Sequence, residues 1–243
     1  MVPVSHAYLL LSLLLSACFM LCLIVCPRQS RLATCCALMT TPFAFTSLLA
    51  VPDYWDPPKL GTILETGIED VLVTLACCGI PMVLALKTIH PRIDIMSPSI
   101  GRAAIIRYLT ISLVGLAIGL TSIHIIGLPV STAGLATNTV MAMGLLATRP
   151  FLWPAALTGA LSLALVYTLT FASILQLSPD FIHTWNPHAL WGISFFSIPC
   201  EEVLWALTTG AVVPLYFGLI LPLEPSPKGR VTAGFSSTDS RSH

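Results

Sequence analysis

Charged residues are scarce in this chain: 9% of 243 residues, against 56% hydrophobic. A soluble domain carries about 25% charged residues, so this composition cannot cover a water-facing surface. It excludes an ordinary soluble globule and points to an integral membrane protein. Net charge is zero, which gives no reason to expect a nucleic-acid partner. No C-x-x-C pair occurs, and no disulfide framework follows from the eight cysteines. Cys18, Cys22 and Cys26 share one helical face without a nearby histidine or carboxylate, so they read as packing residues and no metal is expected. No P-loop, G-x-G-x-x-G, H-E-x-x-H or G-x-S-x-G motif is present. The last apolar run has no lysine for a retinal Schiff base.

Seven apolar runs of membrane-crossing length can be marked, at 7–26, 32–51, 68–89, 103–126, 130–148, 153–177 and 193–221. The first lacks the basic leader and small-residue site of a signal peptide and is read as a span. Arg28, Arg31, Lys87, Arg92, Arg102, Arg107, Arg149, Lys228, Arg230 and Arg241 sort to one side of an odd number of spans, and only Lys59 to the other. This bias predicts an outer N-terminus and a cytoplasmic C-terminus. The bilayer is thus the first expected partner. Self-association is left open. The tail, 223–243, is rich in Pro, Gly, Ser and Thr and is expected to be disordered.

Against this background two acidic units stand out. Trp185-Asn186-Pro187 leads through Pro199 to Glu201-Glu202, and Trp55-Asp56-Pro57 leads to Glu69-Asp70. Ile68-Glu69-Asp70-Val71-Leu72 parallels Cys200-Glu201-Glu202-Val203-Leu204, and Pro81 and Pro214 follow. The expected fold is all-α, with about seven transmembrane helices in two parallel three-helix repeats joined by a connector helix. Residues 1–91 form the first repeat, 92–128 the connector with span four, and 129–222 the second repeat. Spans three and seven then run the same way and bring four carboxyl groups around one cavity.

An intramembrane carboxylate costs about 2.5–3.5 kcal/mol on insertion scales and is a functional hypothesis by default. On the expected boundaries Glu201 and Glu202 lie roughly 12 Å into the last span, with Pro199 bending or opening the helix before them. Out of water and beside a like charge, a carboxyl favours its protonated form. A pair can then hold an acid and a base at once, as general acid–base chemistry requires. The competing reading is helix capping, strongest for Glu69 and Asp70 at the start of span three. The ordinary reading of Trp55, Trp185 and Trp191 is an interfacial belt. His124 closes span four on the same side, and Gly115 and Gly119 form a helix-packing G-x-x-x-G.

The doubled unit Trp-x-Pro … Gly … Pro-x-Glu-Glu-hydrophobic resembles the lycopene cyclase domain of the heterodimeric and fused bacterial, archaeal and fungal carotenoid cyclases. Trp185, Pro199, Glu201 and Glu202 match in the second half, and Trp55 and Glu69 in the first, where Asp70 replaces glutamate and Gly67 replaces proline. Val-Leu-Val and Val-Leu-Trp stand where that family has Leu-Phe-Phe. The resemblance implies an isomerase that cyclises the ends of a hydrophobic carotenoid without net redox change and without a cofactor. It implies catalytic roles for Glu201, Glu202, Glu69 and Asp70, with Trp55, Tyr54, Trp185 and Pro199 lining the substrate. Which acid donates and which accepts is undecided at this level. Two other readings compete: a divergent prenyl-lipid enzyme or non-catalytic relative, and a proton- or cation-coupled transporter.

Overall fold

The computed structural model describes residues 2–89, 93–94, 101–221 and 224–225. It is all-helical apart from two-residue strand pairs. Helix α1 (Val4–Val25) is followed by α2 (Pro27–Met39), a 3-10 turn (Thr41–Thr46) and the single-turn α3 (Ser47–Ala50). Strands β1 (Thr62–Ile63) and β2 (Thr66–Gly67) form a hairpin that leads directly into α4 (Ile68–Ile89). Strand β3 (Ile93–Asp94), α5 (Arg102–His124), α6 (Val130–Thr148) and α7 (Trp153–Leu177) follow. Two 3-10 turns, Pro179–Thr184 and Pro187–Ala189, then lead to a second hairpin. Its strands are β4 (Ser194–Phe195) and β5 (Ile198–Pro199), and it runs into α8 (Cys200–Ile220). Strand β6 (Glu224–Pro225) pairs antiparallel with β3.

Seven segments among the described residues are long and apolar enough to cross a bilayer, and six lie close to the expected runs. The second, Pro27–Ala50, is not one helix: Pro42 opens a 3-10 stretch after α2. Proline has no N–H to continue the α-helical ladder.

The seventh expected run is corrected. Residues 193–199 form no helix. They hold the second hairpin, and α8 begins at Cys200. Pro199 therefore caps the helix rather than bending it, and Glu201 and Glu202 lie in its first turn rather than deep along it. A seven-residue apolar stretch cannot be told from a helix by periodicity alone. Of the tail expected to be disordered, 223–243, only Glu224 and Pro225 are described, and they are the two residues of β6. The rest lies outside the described residues.

Helices α4, α7 and α8 pack at the centre, with α1 and α2 against α4 and α6 against α8. The most extensive helix contact is between α7 and α8. A Cβ added at Gly159 would lie 2.2 Å from the Gly210 carbonyl oxygen, and one at Gly210 would lie 2.3 Å from that of Gly159. Only glycine allows backbones this near, which is how small residues bring membrane helices together. Gly115 and Gly119 face Met141 and Thr137 of α6, so the G-x-x-x-G packs within the chain. Pro81 and Pro214 sit inside α4 and α8, which continue through them.

Candidate functional site

Both acidic pairs sit in the same local structure. A hairpin ends on the N-cap of a helix, and the acids occupy the second and third residues of that helix. Each hairpin turns through two non-glycine residues with positive φ: Leu64 (51°) and Glu65 (57°), then Phe196 (51°) and Ser197 (64°). Left-handed backbone costs an L-residue roughly 1–2 kcal/mol, and such strain persists only where the surroundings hold it. The first helical turn also exposes amide N–H groups that favour negative charge.

The four carboxyls are nearly inaccessible: Glu69 and Glu201 are 1% exposed, Asp70 6% and Glu202 7%. Glu69 Oε1 accepts the Leu60 amide at 2.9 Å, and Glu201 Oε1 accepts the Trp191 amide. The second members differ. Asp70 Oδ2 accepts the Gly67 N–H at 2.7 Å, the backward reach of a capping box. It also pairs with the Lys59 ammonium at 2.8 Å, while Oδ1 accepts the Tyr8 hydroxyl at 2.7 Å.

Glu202 has no capping bond to make, because its N-cap is Pro199, which has no N–H. It turns to side chains instead. Oε1 accepts the Tyr54 hydroxyl at 2.7 Å and the Trp185 indole N–H at 3.0 Å, and Oε2 accepts the Tyr167 hydroxyl at 2.5 Å. Burial, then the Glu202 carboxylate, push the Tyr54 hydroxyl above the ordinary tyrosine range, so it stays protonated and donating.

Capping, the competing reading for Glu69 and Asp70, therefore holds in part. Asp70 does cap α4, yet it also carries a buried ion pair that capping does not need. Seven of the eight carboxyl oxygens have a protein donor. The eighth, Glu69 Oε2, is buried without a partner among the described residues.

An aromatic layer joins the two pairs. Trp55 and Trp185 form an isolated antiparallel bridge. The Asp56 amide donates to the Thr184 carbonyl at 2.8 Å and the Asn186 amide to the Tyr54 carbonyl at 2.9 Å. The tryptophan rings are 5.1 Å apart, and Trp55 also meets Tyr8 edge-on at 4.8 Å. A continuous path thus runs from Asp70 through Tyr8, Trp55 and Trp185 to Glu202.

Trp185 is 3% exposed and is no interfacial belt residue, whereas Trp191 is 47% exposed and its indole N–H donates to Thr132. His124 ends α5 exposed and bonds to none of the acids. The described cavities also lie elsewhere. One of about 260 Å³ is lined by Val2–Val4 and Ser178–Asp180, and one of about 440 Å³ lies between α5 and α6. None of the four acids lines either. They are enclosed by tyrosine, tryptophan and backbone. Among the described residues no cluster of three metal-ligating side chains occurs.

Residues 129–220 match the family model described as Lycopene cyclase. That stretch is similar to the lycopene cyclase family. It holds α6, α7, the second hairpin and α8, and so Trp185, Pro199, Glu201 and Glu202. No curated protein and no solved structure matches the chain. Residues 1–128 lie outside the match and bring their own hairpin, their own acids and Tyr54, which donates directly to Glu202.

Lys59, Tyr8 and Tyr167 escaped the reading of the sequence. Lys59 had a signal: it is the single basic residue sorted to the side where the acids lie. Tyr8 and Tyr167 each place a hydroxyl within a long apolar run, where a phenol is retained with a partner for its O–H.

Proposed function

We propose that the chain is a membrane carotenoid cyclase that closes rings at the ends of a linear carotene such as lycopene. The observation that carries this reading is the pairing of a cyclase family segment with two buried carboxyl pairs, joined through Trp55 and Trp185. The reaction is an isomerisation. A carboxylic acid protonates the terminal double bond, and the carbocation is attacked by the next double bond, which closes the ring. A carboxylate then removes a ring proton, leaving no net change in redox state or protonation.

The proton donor and acceptor come from Glu69, Glu201 and Glu202, with Asp70 buried beside Glu69. Glu69 Oε2, buried with no protein donor among the described residues, supports Glu69 as one of the two groups. The faces of Trp55, Trp185 and Tyr54 supply the negative π density that steadies a cation. Pro199 serves by leaving Glu202 without a capping bond.

Access from the bilayer is supported by the hairpin tips, which expose Ile63, Leu64, Ile193, Phe195 and Phe196 beside the acids. The two hairpin-helix units support a duplicated architecture, with 1–91 and 129–222 as repeats. The distribution of Lys and Arg supports placing the acids near the outer face, with the C-terminus in the cytoplasm.

The test is expression in cells that accumulate lycopene, followed by pigment extraction. A ringed product is expected. Unchanged lycopene in membranes that contain the inserted protein overturns the reading and favours a divergent prenyl-lipid enzyme.

A further inference from the structure

We infer that Lys59 and Asp70 act together as a positioning pair, and that Asp70, alone of the four acids, carries no proton in the reaction. This rests on the cyclase reading. The two halves have like backbones but unlike charge. The first buries a cation, since the Lys59 side chain is only 4% exposed and lies 2.8 Å from Asp70. Among the described residues the second has no counterpart: all three donors to Glu202 are neutral.

The Lys59 ammonium does more than neutralise. It also donates to the Glu65 carbonyl at 2.6 Å, at the second left-handed residue of the hairpin turn. One side chain therefore ties the segment after Pro57, the strained turn and the first turn of α4. Its stem packs near Gly67, where an added Cβ would lie 3.1 Å from Lys59 Cδ and 2.6 Å from Glu69 Oε2. The neighbouring Leu60 amide holds the other oxygen of Glu69. The pair thus sets where the unpartnered oxygen of Glu69 sits.

A proton carrier must gain and lose charge through each turnover. Asp70 has both oxygens engaged by donors, and its neutralisation would leave the Lys59 ammonium buried without a counter-charge. Glu202 and Glu69 carry no such tie.

The test is a charge-neutralisation cycle on the full chain in lycopene-containing membranes, with Lys59→Met, Asp70→Asn, the double variant and Lys59→Arg. Each neutralising single change strands one buried charge and is expected to lower the cyclisation rate at least about tenfold. The double variant strands neither and is expected to recover to within a few-fold of the parent, as is Lys59→Arg. A double variant as inactive as Asp70→Asn, inserted and melting like the parent, overturns the inference.

Should the double variant fail to insert, the pH–rate profile of Asp70→Asn decides. A lower curve of unchanged shape supports a positioning role, and loss of one limb overturns it. A parent that forms no ringed product sinks the cyclase reading instead. The pair is then read from melting temperatures, where a double variant more stable than either single supports the coupling and additive losses overturn it.

Discussion

Trp55 and Trp185, 130 residues apart, meet as an antiparallel bridge with their rings 5.1 Å apart. The neighbours of each exchange backbone hydrogen bonds, Asp56 with Thr184 and Asn186 with Tyr54. The contact therefore fixes both loops at once, and it places Tyr54 of one half on Glu202 of the other.

Glu202→Gln presents an amide to three donors that need an acceptor. General acid–base groups contribute about 10²–10⁴-fold, so the rate of ring formation should fall within that range. Glu69→Gln should fall comparably. Pigment conversion per inserted protein is the measurement.

Tyr167→Phe removes the 2.5 Å bond to Glu202 without changing ring packing against Phe171 and Trp205. A bond to a charged acceptor is worth about 1.5–3 kcal/mol. The variant should lose stability of that order, seen as a lower melting temperature in detergent.

Gly67→Pro would copy the second half into the first and should fail there. It deletes the N–H that Asp70 accepts, and its ring would crowd Glu69 Oε2. The expected loss is at least about 1.5–3 kcal/mol, read by thermal unfolding.

Gly159→Ala and Gly210→Ala each drive a methyl into the opposing carbonyl. Overpacking costs about 1–3 kcal/mol, and two facing backbones leave little room to relax. Gly134→Ala in α6 meets nothing within 4 Å and should be neutral or stabilising by about 0.4–1 kcal/mol. Melting temperatures of the three variants provide the comparison.

The raised Tyr54 hydroxyl gives a pH dependence of known sign. Its contribution to stability is whole below the ordinary tyrosine value of 10.0 and is lost as the pH climbs beyond it. Tyr54→Phe should therefore lose less stability than the parent on going above that pH. Unfolding curves at neutral and alkaline pH test this.

The spans were legible because the bilayer demands some twenty apolar residues in a row, a signal carried by composition alone. The last boundary was not. Residues 193–199 are as apolar as a helix, and only their strand pairing and the left-handed residues Phe196 and Ser197 show the hairpin. The acid pairs were legible because carboxylates are rare in apolar runs. Their inequality was half visible, in Gly67 standing where the other copy has Pro199, but its meaning needed the hydrogen bonds.

The order of residues by itself determined a membrane-embedded helical chain, two acidic units, and a proline just before the second of them. These depend on composition, local spacing and the covalent nature of proline. Only the tertiary structure decided that Lys59 is buried on Asp70, that Tyr8, Tyr54 and Tyr167 supply the hydroxyls, and that Trp55 and Trp185 join the halves. Those partners lie up to 148 residues apart in the chain. Hydrogen bonds and ion pairs act over a few ångströms of space, whatever the separation in sequence.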